Sequence, residues 1–167
     1  QILQQFAVMG SVYSHEVLGV PTPRVGLMSI GEEDAKGNEM TKETFHLLQQ
    51  APIDFAGNIE GHDLFEGKVD VVVCDGFVGN VILKTSESVG HAIVTWIKQE
   101  FTRNPIRIAG ALLLRGALKA LKKKVSPESY GGAPLLGVKG IVLIGHGSSS
   151  HVAVFHGIRA AREAVSH

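Results

Sequence analysis

A run of branched apolar residues that stops at an acid and two glycines constrains the fold of this chain more than any other feature. The segment VDVVVCDGFVGN, residues 69–80, predicts a strand over 69–75, then a glycine-rich turn and a helix from about residue 81. Near-continuous apolar strands are typical of parallel sheets covered on both faces. We therefore expect this strand to lie inside an α/β fold.

Strands and helices alternate along the rest of the chain, which predicts a mostly parallel sheet with flanking helices. The other predicted strands are 24–30, 53–61 and 140–146, and the predicted helices are 2–19, 41–50 (capped by Thr41), 81–102, 106–125 and 152–166. A length of 167 residues suits one packed core, so we predict a single α/β unit over residues 1–167. The single cysteine excludes an internal disulfide and fits a reducing cytoplasm.

Three polar, glycine-rich turns follow predicted strands: SIGEEDAKGNE, CDGFVGN and IGHGSSS. In open parallel sheets, ligands bind beyond the carboxyl ends of the strands. We therefore expect the turns that contain Lys36, Asn80 and His146 to lie along one edge of the sheet and to form a site.

The turn IGHGSSS has the composition of an anion cradle, with Gly145 and Gly147 before three serines that open a helix. A well-capped helix after a tight turn explains the same pattern. A dinucleotide fingerprint needs a third glycine where Ser150 stands, so a nicotinamide cofactor is not expected. His146 fits a general base, a phosphate ligand or a hydrogen-bonded turn residue.

The loop GEEDAKGNE imitates a calcium-binding loop, but a lysine stands at a ligand position and a strand precedes the loop. We therefore predict no metal. What remains is Lys36 among the acids Glu32, Glu33, Asp34 and Glu39. A cation held on an ion-paired loop can bind an anion or polarise a carbonyl, although a solvated surface loop has the same composition.

In the CDGFVGN turn, the Asn80 amide could donate to an oxyanion or a phosphate. Cys74 belongs to the apolar strand and is predicted to pack rather than react.

Residues 101–127 contain seven bases and no acid. We predict a protruding, basic amphipathic helix over residues 103–125, whose apolar run is too short to span a bilayer. It suits an anionic membrane surface or a partner subunit. The residues expected to make that contact are Ile108, Leu112, Leu113, Leu114, Lys119, Lys122 and Lys123.

The stretches RVGLMSIGEEDAKGNEMTKE, VDVVVCDGFVGNVILKTSE and YGGAPLLGVKG with the following HGSS resemble the bacterial phosphate acyltransferases of phospholipid synthesis, the PlsX family. The resemblance covers roughly the carboxyl-terminal half of a member, so we expect this chain to lack the amino-terminal half. It implies a fold like that of isopropylmalate dehydrogenase and phosphotransacetylase.

The resemblance also implies an enzyme that moves a long fatty acyl group from acyl carrier protein to inorganic phosphate, giving acyl phosphate. Such enzymes are homodimers bound peripherally to the cytoplasmic face of the inner membrane, without cofactor, metal or nucleic acid partner. Activity of this half alone is not implied. Alternatives are a phosphotransacetylase-like enzyme that uses acetyl-coenzyme A and a non-catalytic membrane-associated fragment.

By the same resemblance, Lys36 and Asn80 match catalytic positions of the family. The residues expected to bind substrate or phosphate are Glu33, Asp34, Gly37, Asn38, Asp75, Gly76, Gly79, His146, Gly147, Ser148 and Ser149.

Overall fold

The computed structural model describes residues 1–125, 132–145, 147 and 149–165, with the side chains of 121–125 outside that description. The chain forms two compact units. The first contains Gln1–Gly76, Leu135–Val142 and the chain from Glu163 onward, and the second contains Phe77–Pro134 and Leu143–Arg162. The chain leaves the first unit, enters the second and later returns to the first, so the two units are not separate stretches of sequence. Our expectation of one α/β unit over residues 1–167 remains a prediction.

A three-stranded parallel sheet forms the centre of the first unit. Its strands are β1 (Arg24–Met28), β2 (Asp54–Ile59) and β3 (Val71–Val73), in the order β2-β1-β3. The middle strand, β1, is buried over all but its first residue. The predicted α/β class, with a parallel sheet and flanking helices, is confirmed.

Strand β3 is shorter and less buried than its sequence predicts. We expected a strand over residues 69–75 covered on both faces, but only Val73 of its three residues is buried. The reason is position, because β3 lies at the edge of the described sheet. Asp70, just before β3, is hydrogen-bonded to Arg24. Its carboxylate accepts the Arg24 N–H at 2.9 Å, and its own N–H donates to the Arg24 carbonyl at 2.9 Å.

A bulge sets the position of the end of β2. The β1–β2 register shifts between Val25 and Gly26, so β2 carries one extra residue. Gly57 takes a φ of 97° there, which residues with a side chain rarely adopt. Beyond the bulge, Asn58 pairs with Leu27 at the centre of the sheet.

Two helices, α1 (Ile2–Glu16) and α2 (Glu39–Gln49), pack on the sheet, and a short helix, α3 (Asp63–Glu66), follows β2. The buried core that they share consists of Leu3, Ala7, Val25, Leu27, Phe45, Leu48 and Val73. Each large apolar side chain buried there stabilises the fold by roughly 1.5–3 kcal/mol. The side chains of α1 and α2 thus fix the sheet whose edge carries the candidate site.

Helices dominate the second unit. The elements that lie wholly or mainly in it are α4 (Gly76–Phe101), α5 (Pro105–Leu113), α6 (Arg115–Val125), β4 (Ala133–Pro134), β5 (Leu143–Ile144) and α7 (His151–Val165). Strand β5 corrects the sequence-based topology, because it pairs antiparallel with β4 and does not extend the parallel sheet. The expectation that all three turns follow strands of one parallel sheet is therefore wrong for IGHGSSS.

The predicted basic helix over 103–125 is two helices. It breaks at Leu114, whose φ of −89° and ψ of 5° leave the helical region, and glycines at 110 and 116 flank the break. The Asn104 side chain caps α5 by accepting the Arg107 N–H at 2.9 Å. Lys122 and Lys123, two of the residues predicted to make the surface contact, lie in α6, but their side chains are outside the described part of the structure. No helix in the described parts of the chain is long and apolar enough to cross a membrane.

Candidate active site

The loop between β1 and α2 carries most of the predicted site residues, and a tight turn shapes it. The Lys36 N–H donates to the Glu33 carbonyl at 2.9 Å. The Asn58 Nδ2 group donates to the same oxygen at 2.8 Å. The turn is therefore closed from within and also held to the end of β2. The sequence-based site did not include Asn58, although a polar residue near the end of a predicted strand was a visible signal.

Lys36 is exposed, and its ammonium takes part in no salt bridge among the residues that the structure describes. A side chain at Gly31 would lie 2.8 Å from the Lys36 Cγ atom and 2.7 Å from a Glu33 carboxylate oxygen. The glycine therefore leaves room for the lysine stem. We expected an ion-paired cation, but the ion pair of this loop joins Glu32 to Lys68 instead, at 3.7 Å. This leaves the Lys36 ammonium available to an anionic ligand.

The amino terminus of α2 directly follows Lys36 in the chain. We predicted Thr41 as its cap, but Asn38 caps it: the Asn38 Oδ1 atom accepts the Thr41 N–H at 2.9 Å. The Thr41 hydroxyl donates to the Asn38 carbonyl at 2.8 Å. The Asn38 side-chain oxygen is thus engaged in the cap rather than open to substrate. A helix amino terminus carries partial positive charge, so this end of α2, like Lys36, favours an anion.

Gly37 permits the turn between Lys36 and the α2 cap. Its φ is 100°, and a Cβ atom there would collide with the Thr41 hydroxyl and lie 3.0 Å from the Ser29 Oγ atom. This glycine is therefore required by both conformation and space.

Replacing Gly37 by alanine is expected to lower the free energy of unfolding by about 1–3 kcal/mol, the usual cost of a strained backbone position. Urea denaturation measures the change. Gly61→Ala is the matched control, since a Cβ atom at Gly61 would meet nothing within 4 Å. Equal stability of the two variants would contradict the described turn.

A cluster of charges supports the loop from outside. The Lys68 ammonium lies 2.6 Å from an Asp63 oxygen, 3.4 Å from Glu66 and 3.7 Å from Glu32. The Lys68 hydrogen bond and the Glu60 N–H hold the pKa of the Asp63 carboxyl below its usual value, and Asp63 in turn raises the pKa of Lys68.

Side chains in this cluster have the chemistry of metal ligands, since donor atoms of Glu32, His62 and Asp63 lie within 4.8 Å of one another. However, the Lys68 ammonium already supplies a cation to Asp63. We therefore interpret the cluster as an ion-paired support that ties the loop to α3.

The segment after β3 differs from its predicted form. Instead of a glycine-rich turn, Gly76 begins α4, so Gly79 and Asn80 lie in the first turns of a helix. Asn80 is exposed. Because β1 and β3 are parallel neighbours, the loop that contains Lys36 and the link that contains Asp75 leave the sheet at the same edge. The Lys36 loop and the start of the CDGFVGN segment therefore follow one edge of the parallel sheet.

Cys74 lies in the link between β3 and α4. Burial raises the pKa of the Cys74 thiol, and the charge of Asp75 raises it further. A raised pKa leaves less thiolate, which is the nucleophilic form of cysteine. These surroundings suit a thiol that packs and does not react.

Only part of the IGHGSSS segment can be compared with its prediction. His146 and Ser148 lie outside the described residues, whereas Gly147 and Ser149 lie between β5 and α7. The Ser150 hydroxyl accepts the Ala153 N–H at 3.3 Å, as a helix cap does. The segment therefore has the capped helix that we considered, and its role with phosphate remains a prediction.

An exposed lysine that makes no salt bridge among the described residues, in the loop that leads from the carboxyl end of a parallel strand into a helix, is suited to an anionic ligand. Fold and site thus define an α/β protein with a candidate anion site at the edge of its parallel sheet. A family model described as "Fatty acid synthesis protein" matches residues 1–167. The chain belongs to this family.

Relatives with curated names make the match more specific. The chain is 51% identical to a phosphate acyltransferase of Desulfitobacterium hafniense, over 98% of the chain and 49% of that protein. Identity is 54% to that of Desulforudis audaxviator (98% and 49% covered) and 53% to that of Aquifex aeolicus (96% and 48% covered). The chain spans about half the length of the curated relatives it matches. The predicted resemblance to phosphate acyltransferases, over their carboxyl-terminal half, is confirmed.

Proposed function

We propose that the full-length protein containing this chain moves a long-chain fatty acyl group from acyl carrier protein to inorganic phosphate, giving acyl phosphate for phospholipid synthesis. The observation that carries this proposal is the identity of 51–54% to proteins named phosphate acyltransferase. The acyl carrier protein and the acyl phosphate product follow from the family resemblance. Lys36, which makes no salt bridge in the part of the chain that the structure describes and precedes the α2 cap in the sequence, supports an anionic substrate.

The reaction needs no activated side-chain nucleophile, because phosphate itself is one. A phosphate oxygen attacks the thioester carbonyl carbon, a carbon–oxygen bond forms, and a tetrahedral oxyanion results. The carbon–sulfur bond then breaks, and the thiolate leaves and takes up a proton as the carrier thiol. The protein must offset the charge of phosphate, orient it and stabilise the oxyanion.

Lys36 and Asn80 supply the two kinds of group that this chemistry requires. We assign the Lys36 ammonium to guiding the thioester or polarising its carbonyl, and the Asn80 amide to hydrogen-bonding the reacting groups. The set proposed to support substrate or phosphate consists of Glu33, Asp34, Gly37, Asn38, Asp75, Gly76, Gly79, His146, Gly147, Ser148 and Ser149. For Asn38, that support would come through its cap on α2.

The partners proposed for this chain are acyl carrier protein, a second copy of the protein and the cytoplasmic face of an anionic membrane. Large apolar side chains around the α5–α6 break support a surface contact: Leu112 is 66% exposed, Leu113 88% and Leu114 51%. Ile108 and Lys119 are exposed on the same two helices. An apolar surface next to bases suits peripheral binding to lipid.

Incorporation of radiolabelled phosphate tests this function in the full-length protein. Palmitoyl-acyl carrier protein is expected to support rapid labelling of an acyl phosphate, and acetyl-coenzyme A is expected to support little. Preference for acetyl-coenzyme A would show a phosphotransacetylase-like enzyme instead. Labelling with neither donor would contradict the proposed transfer and favour the non-catalytic alternative.

A further inference from the structure

Asn58 is a buried polar residue behind the loop that carries Lys36. It is only 6% exposed and pairs with Leu27 of the central strand. Its Oδ1 atom is buried without a hydrogen-bond partner among the described residues. Leaving such an oxygen unpaired costs stability, and an apolar residue of similar shape would avoid that cost. Stability alone therefore does not explain why an asparagine occupies this buried position.

The hydrogen bond made by the Asn58 amide nitrogen explains the choice of an asparagine. This nitrogen donates to the Glu33 carbonyl at 2.8 Å, and the Lys36 N–H donates to the same oxygen at 2.9 Å. A carbonyl oxygen only accepts, so the nitrogen end of the amide must face it. Two hydrogen bonds thus connect the rigid end of β2 to the Lys36 backbone, with Glu33 between them.

From this geometry we propose that Asn58 is a positioning residue, which holds the Glu33–Lys36 turn so that the Lys36 ammonium stays where acyl transfer occurs. The inference rests on the proposed function of Lys36. Misplacement of a reacting group by about 1 Å can reduce a rate about 100-fold, which is why such a tether matters.

The test replaces Asn58 by leucine, which removes the donor and the unpaired oxygen together. We expect kcat in the full-length protein to fall about 10–100-fold, with KM for palmitoyl-acyl carrier protein changed less than about threefold. Hydrogen exchange is expected to become faster in the segment 29–38 and to stay unchanged in β1. If the leucine variant does not fold, Asn58→Asp, which keeps the shape and loses the amide donor, is measured in its place.

Ser14→Ala is the matched control, because Ser14 is also buried (2% exposed) with an unpartnered hydroxyl among the described residues, but lies on α1. It should change neither kcat nor exchange of the 29–38 segment. Normal turnover and normal exchange in the Asn58 variant, beside an inactive Lys36→Ala protein, would overturn the inference and leave the proposed function intact. An active Lys36→Ala protein would refute the proposed role of Lys36, and faster exchange of 29–38 would still demonstrate the tether. The proposed function fails separately, if the unaltered full-length protein labels no acyl phosphate.

Discussion

Replacement of Lys36 by alanine is expected to slow acyl phosphate formation by the full-length protein about 10²–10³-fold, the usual effect of losing one donor to a developing oxyanion. The loss should be this large because the ammonium makes no salt bridge in the described structure and is therefore free to act on substrate. The fold should survive, since the Lys36 side chain is exposed. Release of the carrier thiol measures the rate, and circular dichroism checks the fold.

Three further variants test whether the loss of rate is specific to the proposed site. Asn80→Ala should reduce the rate by a similar factor, about 10²–10³. Lys42→Ala removes an exposed positive charge from α2 without touching the turn, and Cys74→Ala removes the thiol whose pKa burial raises. Both should keep nearly normal rates. A folded Lys36→Ala protein with normal turnover, or a folded but inactive Cys74→Ala protein, would show that the site assignment is wrong.

The double substitution of Leu113 and Leu114 by glutamate is expected to release the full-length protein from anionic vesicles. These side chains are 88% and 51% exposed. Burial of a leucine contributes roughly 1.5–3 kcal/mol, against about 1 kcal/mol for a base near an anionic surface. The apolar contribution should therefore dominate, and the two new carboxylates would also be repelled. Vesicle flotation measures binding, and turnover of soluble palmitoyl-acyl carrier protein should remain.

Ile2→Glu with Leu18→Glu is the matched control, because these side chains are exposed to 65% and 62% but lie outside the α5–α6 segment. That protein should still float with vesicles. If the Leu113 and Leu114 variant floats but no longer uses the carrier protein, the segment docks the carrier. If it floats and separates into monomers, the segment is a subunit contact. Either result contradicts the membrane proposal.

The sequence predicted those parts of the fold whose local pattern agrees with their packing. The strand at Val25 and Leu27 is apolar and central, so pattern and burial coincide. The sequence pattern gave a wrong prediction where the pairing between strands decides the topology. The 140–146 segment looks like a parallel strand, yet its residues Leu143–Ile144 pair antiparallel with β4, which no property of that segment alone reveals.

Helix boundaries were less predictable, because competing signals lie close together. Gly76 and Gly79 indicate a turn, but Gly76 begins the long helix α4 and Gly79 lies in its first turn. The length of the helix outweighs the cost of about 1 kcal/mol for each glycine. In contrast, the apolar run around Leu114 indicates one helix, yet the backbone breaks there.

The sequence motifs of the candidate site were predictable, but the contacts that hold its turn in place were not. The KGN turn after a strand drew attention to Lys36 from the sequence alone. The groups that hold this turn, Asn58 and Lys68, come from segments more than 20 residues away. Their contacts depend on strand register and ion pairing in three dimensions, which spacing along the chain does not contain.

The most direct test of the central claim is the phosphate dependence of thiol release from palmitoyl-acyl carrier protein by the full-length protein. If phosphate is the acyl acceptor, release should require phosphate, and each thiol should appear with one molecule of labelled acyl phosphate. Thiol release at the same rate without phosphate would mean that water accepts the acyl group. That result would identify a thioesterase and contradict acyl transfer to phosphate.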